Sequence, residues 1–153
     1  MSLSNPPVVR AQMLVRRPGA EVFAAFVDPA ITTKFWFTHS TGRVEAGAKL
    51  TWSWEMYGAK AQVSVVAVEP DRRIAIEWPL PVEWTFTSRA DGSTMVNVMA
   101  SGFIGSADEK FAPALDSMGG FTSLLAGCKA YLEHGIELNL VRDHHPDAHV
   151  KAD

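Results

Sequence analysis

Five histidines, one cysteine and a few glutamates in alternating segments are the residues of this 153-residue chain whose types could do chemistry. Carboxylates within reach of a substrate would supply general acid–base catalysis. Glu55, Glu77 and Glu83 each adjoin a tryptophan in a stretch of period-two alternation, so the pleat turns them to the opposite face, towards solvent. Histidines clustered by a fold would supply metal ligands. His39 follows an aromatic cluster in a loop, and His134 stands at the boundary of a helical face with no second histidine at ligand spacing. His144, His145 and His149 surround Pro146 in a segment read as a solvated tail. Cys128 has Leu124, Leu125, Tyr131 and Leu132 around it and reads as a small buried apolar residue, because an activated thiolate needs a positive neighbour. No serine sits in a nucleophile elbow, and no glycine-rich loop leads from a strand into a helix as a phosphate cradle. The chain is therefore read as non-catalytic, without metal or cofactor.

What remains is aromatic. Leu50, Trp52, Trp54 and Met56 alternate with Thr51, Ser53 and Glu55; Ile74, Ile76 and Trp78 repeat the pattern, as do Val82, Trp84 and Phe86. Strict alternation predicts a sheet with one apolar face. Indoles gathered on a concave face either line a pocket for an apolar molecule or fill a core, and each N–H needs a partner in either case. Trp52, Trp54, Trp78 and Trp84 are the candidate ligand-binding residues, with Phe121 and Leu125 from a covering helix. Trp36 either sits at the pocket mouth or staples short helices to the sheet. Asn97 shares a parity with Met95 and Met99, while Val96, Val98 and Ala100 make the other face, so this strand does not declare its inward side. Asn97 is a ligand-orienting group in one register and an exposed strand residue in the other; Thr85 and Thr122 are further candidates for orientation.

The elements that must position these residues follow from punctuation. Val8 to Arg16 predicts a strand, and Pro18 opens a helix whose buried stripe is Val22, Phe23, Phe26 and Val27. Pro29 ends that helix at Asp28, which caps a second short helix over 29–35 that delivers Phe35, Trp36 and Phe37. Turn residues then separate strands near 42–46, 49–57, 60–69, 73–78, 82–88 and 94–103 into an antiparallel meander. Ser106 to Glu109 has capping-box spacing for a short helix that Gly119-Gly120 breaks or bends. From residue 121 to 141, Leu124, Leu125, Cys128, Tyr131, Leu132, Gly135 and Leu138 share one face, with Lys129, Glu133 and Glu137 opposite. The expected fold is α+β: a curved antiparallel sheet of six to seven strands, two short helices and a long C-terminal helix packed across it.

At 153 residues the chain is expected to form a single domain over 8–142, with tails at 1–7 and 143–153. Such a chain buries roughly 70% of its unfolded surface, enough for a core or an internal pocket. The net charge of -3, from 14 basic and 17 acidic residues spread along the chain, argues against nucleic acid and against a polybasic membrane anchor. A lone cysteine allows no intrachain disulfide, and residues 1–10 hold no signal-length apolar run, which is read as cytoplasmic without membrane insertion.

The order of elements resembles the START-like or SRPBCC superfamily, the helix-grip fold of the birch pollen allergen. Phe35-Trp36, Gly47, Glu69-Pro70-Asp71-Arg72-Arg73-Ile74 leading to Glu77-Trp78, Ser101-Gly102-Phe103, and Gly120-Phe121 with Leu124 and Leu125 are similar to the family named for the activator of the Hsp90 ATPase, across roughly residues 8–140. Two positions depart: Ala100 stands where the family often has histidine, and Phe121 where it often has tryptophan. The resemblance implies a hydrophobic small molecule, lipids included, held between sheet and helix. It implies two alternatives: a stress-related module acting on a chaperone partner, or a polyketide cyclase- or dehydrase-like enzyme. The protein is expected to be a monomer or homodimer.

Overall fold

A computed structural model of the protein describes residues 8–78, 80–101 and 107–150, with the backbone alone for 107–119. The elements run β1 (Val9–Val15), α1 (Gly19–Val27), α2 (Pro29–Thr32), β2 (His39–Ser40), β3 (Lys49–Trp54), β4 (Ala59–Glu69), β5 (Arg73–Trp78), β6 (Leu80–Ser88), β7 (Thr94–Ala100), α3 (Ala107–His134) and α4 (Leu140–His144). The seven strands form one antiparallel sheet in the order β1-β7-β6-β5-β4-β3-β2, as the alternation requires, with β1 returning to lie beside the last strand. Period two and register together decide the faces: Trp84 pairs with Ile74 on one side and Val98 on the other, and Leu50 pairs with Val63. These side chains form the inner face, and α1 and α3 cover it: Val22, Phe23 and Phe26 join Phe121, Leu124, Leu125 and Cys128 in one core.

Pro18 stands one place earlier than predicted. It is the cap, and its carbonyl accepts from the Glu21 and Val22 N–H groups at 3.1 Å. Asp28 caps α2 as expected, accepting from the Ala30 N–H at 3.0 Å. That helix closes at Thr32 rather than at Phe35. Turns carry the chain on, with the Phe35 and Trp36 N–H groups both donating to the Thr32 carbonyl.

Several boundaries differ from the periodic reading, β6 among them, which begins at Leu80 rather than 82. The strand expected near 42–46 is absent, because the Val44 N–H donates to the Val27 carbonyl at the end of α1; His39–Ser40 forms the edge instead. β3 stops at Trp54, where Glu55–Tyr57 turns through Gly58, at φ +61, into β4. β7 is described to Ala100; residues 102 and 103 of the predicted strand, and Ser106 of the capping box, lie outside the described residues. α3 runs unbroken through Gly119-Gly120 for 28 residues, since a glycine inside a helix costs only about 1 kcal/mol relative to alanine. It then ends at His134 rather than 141: Gly135, at φ +66, donates to the Tyr131 carbonyl at 2.8 Å. Leu138, expected on the buried face, is exposed.

Two segments predicted to face solvent are docked. Lys129 donates to the Leu14 carbonyl at 2.7 Å, and Glu133 accepts from the Arg16 N–H at 2.9 Å and from Lys129 at 2.6 Å, which clamps α3 to β1. The segment from 143, read as a tail, folds back on the β3–β4 turn. Tyr57 donates to the Val141 carbonyl, its ring meets His149, and the Val150 N–H donates to the Met56 carbonyl at 2.9 Å.

Candidate functional site

Three strands bring four indoles to one end of the inner face. β3 supplies Trp52 and Trp54, β5 supplies Trp78 and β6 supplies Trp84. The turn between α2 and β2 inserts Trp36 among them. Its ring centroid lies 4.9 Å from Trp52, 5.5 Å from Trp78, 5.8 Å from Trp84 and 6.2 Å from Trp54. Of the two sequence readings for Trp36 the geometry follows the staple, since the ring touches every other indole.

The cluster has a deep half and a shallow half. Trp54 and Trp78 are half-buried and stack on each other at 5.6 Å and 11°. Trp52 and Trp84 are each 2% exposed. Phe37 stacks on Trp52 at 4.8 Å, while Phe26 and Phe121 meet Trp84 at 6.2 and 6.4 Å. Leu125 is buried in the same core. The Nε1 atoms of Trp52 and Trp84 are buried without any hydrogen-bond partner. An indole N–H can only donate, and leaving a buried donor unpaired costs about 1–3 kcal/mol, so two such groups on rings that both meet Trp36 call for a physical account.

Asn97 belongs elsewhere. Val96, Val98 and Ala100 are the buried members of β7, so Asn97 projects from the outer face, beside Thr85 in register. There it lines a groove of about 250 Å³ with Arg10, Glu83 and Met99. Thr85 shares that face and Thr122 is exposed on α3, so none of the three polar candidates reaches the indoles. The strand glutamates also stay outside: Glu55 and Glu77 are exposed, and Glu83 lies 3.1 Å from Arg73. The hydrogen bonds that Arg73 donates to Glu83 and then to Glu69 hold its guanidinium above the ordinary pKa.

Two titratable groups on α3, Cys128 and Glu133, are shifted by their surroundings. Burial pushes the Cys128 thiol up to about 12, and the Glu133 charge adds to the effect. Burial alone would raise the Glu133 carboxyl, yet the bonds from Lys129 and the Arg16 N–H outweigh it and hold the group below its ordinary range. No group of three or more metal-ligating side chains occurs among the described residues. His39, His134, His144 and His145 are exposed.

Sequence reasoning missed the clamp at Glu133 and the docking of the C-terminal segment on Tyr57. The spacing of Lys129 and Glu133 signalled that they would meet each other; no local signal says that they also meet β1.

The seven-stranded antiparallel sheet, the two short helices and the long helix over an indole-rich face define an α+β helix-grip domain of START-like type. Residues 16–133 match the family described as activator of Hsp90 ATPase homolog 1-like protein, and the chain belongs to that family. Protein SSP2350 of Staphylococcus saprophyticus is 31% identical with a TM-score of 0.78, over 86% of this chain and 96% of that one. The fold alone is shared with DynU16, a putative protein in the dynemicin biosynthetic locus, at 23% identity and a TM-score of 0.74, covering 85% of this chain and 48% of that one. It is shared too with the Aha1 dimer of Colwellia psychrerythraea, at 13% identity and 0.73, over 84% of this chain and 98% of that one. No curated protein matches the sequence. Among the described residues no helix is long and apolar enough to cross a membrane.

Proposed function

We propose that this START-like domain binds a hydrophobic small molecule between Trp52, Trp54, Trp78 and Trp84 on the sheet and Phe121 and Leu125 on α3. The observation that carries the reading is the position of Trp36. It is the one indole that no sheet strand holds, it is only half-buried, and it fills the space at the centre of the other four. Moving it breaks no ladder hydrogen bond and opens an aromatic pocket on the scale of a one- or two-ring molecule. Apolar burial at about 25 cal/mol per Å² then supplies most of the affinity. In the closed state the ring competes with the ligand, so the apparent affinity falls by the fraction of molecules that are open.

The test is tryptophan emission during titration with naphthalene-sized probes, fatty acids, sterols and aromatic polyketides, paired with native mass spectrometry. Quenching is expected for the wild type, and tighter binding for Trp36→Ala, which is open permanently. Unchanged emission in both proteins across the whole panel would sink the proposal.

A further inference from the structure

Resting on that reading, we infer that the ligand is a neutral ring compound carrying a hydrogen-bond acceptor, such as an aromatic ketone or phenol, received by the indole N–H groups of Trp52 and Trp84. Both donors are buried and unpartnered, and both belong to rings that border the space filled by Trp36. An ordered water is a poor alternative, because a buried water needs two to four polar partners. The rings against Trp52 are Trp36, Phe37 and Trp78, and those against Trp84 are Phe26, Trp36 and Phe121. Ser40, opposite Trp52 in register, turns its hydroxyl to Gly42, donating to the carbonyl at 2.8 Å and accepting from the N–H at 3.4 Å, and leaves the indole N–H without a partner.

Charge separates neutral acceptors from carboxylates. Among the described residues the buried polar side chains are Thr32, Ser53, Ser93 and Thr94, with no lysine or arginine, and Arg73 is held on the outer face by Glu69 and Glu83. Burying an unpaired carboxylate among aromatic rings is prohibitive, whereas a carbonyl or hydroxyl oxygen needs only the donors that are present. A plain hydrocarbon would fill the space and leave both N–H groups orphaned.

The experiment compares 2-acetylnaphthalene with 2-isopropylnaphthalene, which match in shape and differ in the acceptor, and with 2-naphthoate. The ketone is expected to bind the wild type roughly tenfold more tightly than the hydrocarbon, as one added hydrogen bond would give. Trp52→Phe and Trp84→Phe keep an aromatic ring without the N–H, and at least one should erase that preference while still binding the hydrocarbon. Should either variant fail to fold, the wild type decides alone: the ketone should shift an indole N–H resonance of Trp52 or Trp84, and the hydrocarbon should shift neither in the same direction. An equal affinity for ketone and hydrocarbon, with no indole shift specific to the ketone, overturns the inference and leaves the hydrophobic site standing. Naphthoate binding as tightly as the ketone overturns the restriction to neutral ligands. Failure of every probe on both the wild type and Trp36→Ala overturns the site itself.

Discussion

On the outer face of β6, Glu83 sits 3.1 Å from Arg73, which also reaches Glu69 at 3.0 Å; one residue along the same strand, on the inner face, the Trp84 N–H has no partner at all. Solvent would have forgiven an unpaired group on the outside, since water replaces the missing partner. The inside offers no such replacement. The face where pairing matters least is well paired, and the face where it matters most leaves two donors open. Paired polar groups on a wet surface report little beyond solubility and local order. Unpaired donors in a buried aromatic cluster call for an explanation, and the proposed ligand supplies one.

Substitutions at neighbouring positions put this contrast to the test. Trp84→Ala removes a core ring and is expected to cost about 3–5 kcal/mol in urea unfolding, whereas Glu83→Ala should stay within about 1 kcal/mol. Similar losses for the two variants would abolish the distinction between the faces. A third place, where burial and pairing coexist, sharpens it. Glu133 has a side chain only 9% exposed and accepts from both Arg16 and Lys129, so Glu133→Ala should cost about 1.5–3 kcal/mol, the range for hydrogen bonds to a charged group. Its carboxyl is held below the usual value of 4.5 in the folded state. Its contribution is thus complete above the unfolded pKa and is lost as the pH falls through the folded one. Acid unfolding curves should show this loss in the wild type and not in Glu133→Ala.

The smallest change is expected at Cys128. With its thiol pushed to about 12 by burial, the folded protein should not react with a thiol reagent at mildly alkaline pH, and modification should track unfolding. Rapid labelling of the native protein would show that the α3 side of the core is open, which would blur the boundary between its dry and wet faces.

Much of the frame was legible because alternation and helical spacing are local. Ile74, Ile76 and Trp78 share the inner face, as do Val82, Trp84 and Phe86, and a pleat has only two sides to choose from. Asn97 resisted the same logic. Its strand carries apolar residues on both parities, Met95 and Met99 on one and Val96 and Val98 on the other, so only the packing of α1 and α3 against the sheet selects the side. Element ends were harder still: Val44 turns to the distant backbone of α1 instead of a strand, and Gly119-Gly120 continues a helix at a small cost that the sequence pattern overstated.

By itself, then, the order of residues determined the α+β architecture, the inner set of tryptophans and the outward carboxylates, since each follows from the period of neighbouring side chains. Only the tertiary structure decided that Trp36 would fill the space between the other indoles, that Glu133 would seize β1, and that Trp52 and Trp84 would be buried without partners. Pairing is settled between segments far apart in the chain. A repeat of two or of three and six-tenths says which way a side chain points, never what it meets there.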